Sequence, residues 1–122
     1  MMLTYGPQSF TFDDDGTIYV YDSYNTKLKS FKDGLYVSSV DLYDINEMGD
    51  GVGITSMVYL CGSIYAHELN SDKIYKITGN EVEESDTFRT LGDIINPFED
   101  ENGNELSMIC EGQNDPVFMI KN

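Results

Sequence analysis

Apolar positions in this chain come in short bursts with a period of two, and residues with turn chemistry stand between the bursts. Between residues 6 and 34 the bursts are Phe10 and Phe12, then Ile18, Tyr19, Val20 and Tyr21, then Leu28 and Phe31. The intervening residues are Asp13-Asp14-Asp15-Gly16, Ser23-Tyr24-Asn25 and Lys32-Asp33-Gly34. Alternation bounded by Asp, Asn and Gly marks strands joined by tight turns. The pattern predicts antiparallel strands over 9–12, 17–22 and 26–31, and a half-polar fourth strand over 36–42 whose Ser-rich face suits an outer edge. Ile18 and Val20 point one way along the second strand and Tyr19 and Tyr21 the other, so that strand is expected to be buried from both sides.

A turn-rich connection without period follows from Tyr43 to Val52, and then the pattern restarts. Strands are predicted over 54–60, 63–68, 73–77 and from 81 to about 91. With an offset of 46 residues, Gly16 falls on Gly62, Ile18-Tyr19 on Ile64-Tyr65, Asp22 on Glu68, Lys27-Leu28 on Lys73-Ile74 and Phe31 on Ile77. A period of this length with about four strands per unit is the signature of β-propeller blades. The expected units run over 6–43 and 53–91, with a partial unit over 97–122 that holds two strands, 106–110 and 117–120. The fold class is therefore all-β: tandem four-stranded antiparallel blades, about two and a half of them within one domain spanning 1–122, with a β-sandwich or barrel as the rival arrangement. An open array of blades leaves an apolar face at each end, so the chain is expected to form a homo-oligomer or to be part of a larger propeller.

Charge narrows the list of partners. Twenty-two acidic residues against seven basic ones give a net charge of -15, spread along the whole chain. Such a field repels phosphate backbones and anionic lipid, so no nucleic-acid and no membrane partner is expected. Residues 1–5 lack a basic segment leading into an apolar run, and no stretch approaches the roughly 20 apolar residues of a membrane span. The chain as it stands reads as cytoplasmic, or as extracellular if it is a fragment.

Several residues invite a chemical reading. Thr11, Asp13, Asp15, Gly16 and Asp22 mimic the spacing of an EF-hand calcium loop. The first ligand position is Thr, however, and the flanks alternate with period two, so an ordinary acidic turn is expected, with adventitious Ca2+ as its alternative at Asp13, Asp15 and Asp22. Asp22 and its counterpart Glu68 are expected to accept backbone N–H groups in the following turn. The single histidine, His67, reads first as a packing residue and second as a ligand contact. Cys61 and Cys110 are expected to be free thiols, because neighbouring blades generally hold such positions farther apart than the roughly 5.5 Å between Cα atoms of a disulfide. The acidic run 99–105 reads as a solvated loop, with a partner-binding tip as the alternative. No catalytic triad order, phosphate loop, dinucleotide fingerprint or zinc motif is present. No catalytic residue, resident metal or cofactor is therefore expected.

The first unit resembles the NHL-type repeat of six-bladed β-propellers. The resemblance rests on Pro7, Phe10-Thr11-Phe12, the Asp13-x-Asp15-Gly16 turn, Ile18-Tyr19-Val20-x-Asp22, Asn25, Lys27, Leu28 and Phe31. The stretch from Ile64-Tyr65 to Lys73-Ile74 in the second unit also looks like YWTD-type blades. The resemblance implies a non-enzymatic scaffold that binds a protein or glycan ligand, with Tyr24, Tyr43, Tyr59 and His67 as candidate contacts. Two alternatives stand beside it: a piece of a metal-dependent propeller hydrolase or lyase, and a structural self-assembly domain.

Overall fold

The computed structural model describes residues 9–45, 52–112 and 115–121. Pro7 and most of the connection between Tyr43 and Val52 lie outside the described residues. The chain is all-β, with antiparallel sheets of four strands. The first sheet contains β1 (Phe10–Phe12), β2 (Ile18–Asp22), β3 (Lys27–Lys32) and β4 (Leu35–Asp41) in sequence order. The second contains β5 (Ile54–Leu60), β6 (Ser63–Glu68), β7 (Lys73–Thr78) and β8 (Glu81–Glu84), again in order. A two-stranded pair follows, β9 (Leu106–Ile109) against β10 (Val117–Ile120).

Turn chemistry explains the hairpins. Asp33 and Gly34 both have positive φ (54° and 80°), as do Cys61 and Gly62 (53° and 85°), which is what a two-residue hairpin turn needs to match the twist of its strands. The 46-residue offset is visible in the backbone as well. Thr26 and Asp72 both adopt φ 56°, and the N–H groups of Asn25 and Ser71 donate to Asp22 and Glu68 respectively.

Alternation sorts the side chains into layers. Tyr19, Tyr21, Leu28 and Val40 of the first sheet pack against Ile64, Ala66, Ile77 and Met57 of the second. Tyr65 and Ile74, on the opposite face of the second sheet, meet Phe88, Ile94, Met108 and Phe118. Every residue of β6 is consequently buried.

Three expectations are corrected by this layering. The sheet enclosed on both faces is the second, whereas the face of β2 that carries Ile18 and Val20 has no cover among the described residues; Phe10 and Phe12 beside it remain 60% and 54% exposed. The eighth strand stops at Glu84 instead of continuing to about residue 91. The chain then turns inward: Phe88 is buried, its N–H bonded to Ser85 Oγ at 3.0 Å, and a short helix α1 (Leu91–Ile95) begins behind a Thr90–Asp93 capping box.

Lastly, Cys61 and Cys110 form a disulfide across a Cα separation of 5.2 Å. The spacing assumed for neighbouring blades describes sheet centres. Cys61 lies at a hairpin tip and Cys110 just past a strand end, and their neighbours Leu60 and Met108 belong to one apolar cluster that draws these corners together.

Candidate functional site

Two rims close the sheets, and their polar residues are largely committed to shaping turns. On one rim, Asp13 Oδ1 accepts the N–H groups of Asp15 (3.0 Å) and Thr17 (2.9 Å), and Tyr19 donates its hydroxyl to Oδ2 at 3.0 Å. Asp15 accepts from the Thr17 hydroxyl and pairs with Lys32 at 3.1 Å. The adjoining Asp13 side chain first, and then the Lys32 ammonium and the Thr17 donors, hold the Asp15 carboxyl well below its ordinary range. Tyr19 is pushed up to about 12 by desolvation, reinforced by its bond to Asp13.

The same turn recurs in the acidic run 99–105. Asp100 Oδ1 accepts the N–H groups of Asn102 (2.9 Å) and Asn104 (2.8 Å), and Gly103 takes the left-handed conformation of Gly16. Three of the roughly four acceptor sites of each carboxylate are taken, those of Asp13 by the Asp15 and Thr17 N–H groups and the Tyr19 hydroxyl, those of Asp100 by the Asn102 and Asn104 N–H groups and the Asn104 amide. Among the described residues no cluster of three His, Cys, Asp or Glu side chains is placed to hold a metal.

The other rim carries the β2–β3 and β6–β7 turns. Asp22 accepts from the backbone of Tyr24 and Asn25 and from the Asn25 amide, and pairs with Lys29 at 2.7 Å. Those bonds, Lys29 first, depress its pKa strongly. Glu68, its counterpart, is wholly buried. Burial raises the pKa of Glu68, but the N–H groups of Gly53, Ser71 and Asn70 outweigh that and leave it below its ordinary value. Both carboxylates fasten turns, as their place at the ends of β2 and β6 suggests.

The four candidate contacts do not converge. Tyr24 and Tyr43 share the Asp22 rim, where the Leu42 N–H reaches Thr26 O at 3.0 Å, and they are 87% and 69% exposed. Tyr59 belongs to the opposite rim and lines a cleft of about 130 Å³ between the two sheets, together with Tyr19, Ser30 and Ser38. His67 is buried in β6, with Nδ1 2.6 Å from the Thr55 hydroxyl and Nε2 2.7 Å from Asp72 Oδ1. Both ring nitrogens are engaged, and the histidine braces the β6–β7 turn.

Sequence reasoning missed Asp115. Its carboxylate receives the Tyr65 hydroxyl at 3.0 Å, the Lys76 ammonium at 2.5 Å and the Thr87 hydroxyl at 2.8 Å. Lys76 contributes most to holding its pKa down. This hub ties the segment before β10 to the second sheet. No local pattern announces it, since its partners lie 50, 39 and 28 residues away. Among the described residues no helix is long and apolar enough to cross a membrane. Comparison with protein-family models and with curated proteins finds no match to this chain.

Proposed function

We propose that the chain is a non-enzymatic binding module of propeller-blade type, whose Asp22 rim engages a protein or glycan ligand. The observation that carries this reading is the pair Tyr24 and Tyr43, both strongly exposed on one rim. Leu69, exposed on the adjoining β6–β7 turn, extends the same surface. Exposed tyrosines present a large amphipathic area at little entropic cost, and they are the residue type over-represented in recognition surfaces. The carboxylate-fastened turns beneath them supply a rigid base. The all-β architecture and the shared 46-residue plan of the two sheets support the blade reading, to which the NHL-type pattern of the first unit adds. The disulfide supports an oxidising, extracellular setting for the module.

The test is a glycan array and a panel of candidate protein ligands probed with the native chain and with Tyr24→Ala/Tyr43→Ala. A ligand of the rim loses at least tenfold in affinity for the double variant while the thermal midpoint is unchanged. Equal binding by both proteins would remove the rim from consideration.

A further inference from the structure

The outer face of the first sheet is a second surface, independent of the rim. Cross-strand pairing places Phe10 beside Val20, Phe12 beside Ile18, and Ile18 beside Phe31 on that face. Tyr36 joins them edge-on to Phe31 at a ring separation of 5.9 Å. Phe10, Phe12 and Tyr36 remain more than half exposed. A contiguous apolar face of this kind marks an interaction surface.

What it fits is legible in the molecule itself. By the 46-residue offset, Ile18, Val20 and Phe31 are the counterparts of Ile64, Ala66 and Ile77, and those three residues form the face that the second sheet buries against the first. The outer face of the first sheet is thus built like a face that already packs on a sheet within the same chain. A matching face is exposed at the far side of the stack. Met108 and Phe118 of the β9–β10 pair turn toward the second sheet, so Ile109, Val117 and Met119 turn away from it, and all three are exposed.

Charge favours the same match. Lys27 and Lys29 lie on the first sheet's outer face opposite Asp22 and Val20, and with Lys29 paired to Asp22 the three leave one net positive charge there, in a chain with only seven basic residues. The β9–β10 end is bordered by the exposed Glu101 and Glu111, and by Glu105 with Lys121 4.0 Å away. We propose that the outer face of the first sheet is the docking surface for a second copy of this chain, which seats its β9–β10 face there, head to tail. Such contacts are heterologous: they close into a ring or extend, and they do not stop at a face-to-face dimer.

Sedimentation velocity on the oxidised full chain, from low to high micromolar concentration, tests this with Phe12→Asp and Met119→Asp, one substitution at each end. The wild-type mass is expected to rise above the 13.8 kDa of one chain, and each variant alone to stay at that mass. An equimolar mixture of the two is expected to form a one-to-one heterodimer that grows no further, because each retains the end the other lacks. A wild-type chain that remains monomeric at high micromolar concentration overturns the proposal. So does a Met119→Asp chain that still self-associates, which would mean that the first-sheet faces meet each other, and so does a mixture that stays monomeric. Circular dichroism confirms that both variants are folded; Phe10→Ser/Phe12→Ser replaces Phe12→Asp should the charge prevent folding.

Discussion

The first and second sheets share strand order, turn geometry and a 46-residue correspondence, yet equivalent residues live in different surroundings. Tyr19 is half-buried at the interface between the sheets, whereas its counterpart Tyr65 is completely enclosed, edge-on to Phe88 at 4.8 Å and bonded to Asp115. Asp22 pairs with Lys29 near solvent, whereas Glu68 is sealed beneath its turn. The difference comes from what covers the sheet. Phe88, α1 and β9–β10 close the outer side of the second sheet, and nothing among the described residues does the same for the first. A repeat in sequence therefore supplies a common backbone plan, while the contribution of each position to stability is set by its neighbours.

Substitution at paired positions measures that difference. Tyr65→Ala is expected to cost about 4–5 kcal/mol in urea unfolding, from the loss of a buried aromatic ring and its hydrogen bond. Tyr19→Ala, at the equivalent position, is expected to cost roughly half as much; equal costs would mean that the outer layer adds nothing to the second sheet. Next in size is Cys61→Ser/Cys110→Ser. A link across 49 residues constrains the unfolded chain by about 4 kcal/mol in the loop-entropy model, with less delivered in practice. Hydrogen exchange should rise in β9, β10 and β6 of that variant and leave β2 and β3 protected.

Smaller effects attach to the turn carboxylates. Glu68→Gln is expected to cost about 1–3 kcal/mol, because it weakens acceptance by a buried group, and Asp22→Asn less than about 1 kcal/mol, since solvent screens it. Acid titration distinguishes them from the apolar layers. Glu68, Asp22 and Asp115 all have folded-state pKa values below their ordinary ones. The unfolded chain therefore binds more protons as the pH falls, and their contribution, fully present above about pH 5, is lost below about pH 4 as it falls through the depressed values. Glu68→Gln should flatten that acid limb; an unchanged limb would assign it to the other carboxylates.

Much of this fold was legible because its signals are local. The bounds of β5, β6 and β10 follow from alternation and from the turn residues Cys61-Gly62, Asn70-Ser71-Asp72 and the stretch from Glu111 to Asp115, and the turn roles of Asp13, Asp22 and Glu68 follow from carboxylates placed beside Gly and Asn. What escaped depends on distance or on competition. Residues 85–91, with the apolar Phe88 and Leu91, read as the tail of a strand, although Thr90-x-x-Asp93 is a helix-start signal; the capping box and burial of Phe88 prevailed over alternation. The disulfide and the Asp115 hub join residues far apart in the chain, and periodicity does not encode such pairings. At the rim the exposed Tyr24 and Tyr43 were legible as turn-borne aromatics, and so was the packing of His67, whereas its bond to Thr55 required the register of β5 against β6.

The cross-link has a covalent consequence of its own. Cys61 and Cys110 enclose β6, β7, β8, α1 and β9 in one closed loop of chain. A single protease cut anywhere inside that loop leaves both products joined, and reduction is needed before a gel shows two bands. One cut between β4 and β5 instead leaves the first sheet as a separate peptide, held to the second only by noncovalent packing and parted from it on a denaturing gel without reduction. The two halves of the repeat thus differ in how much backbone damage each survives before the molecule comes apart.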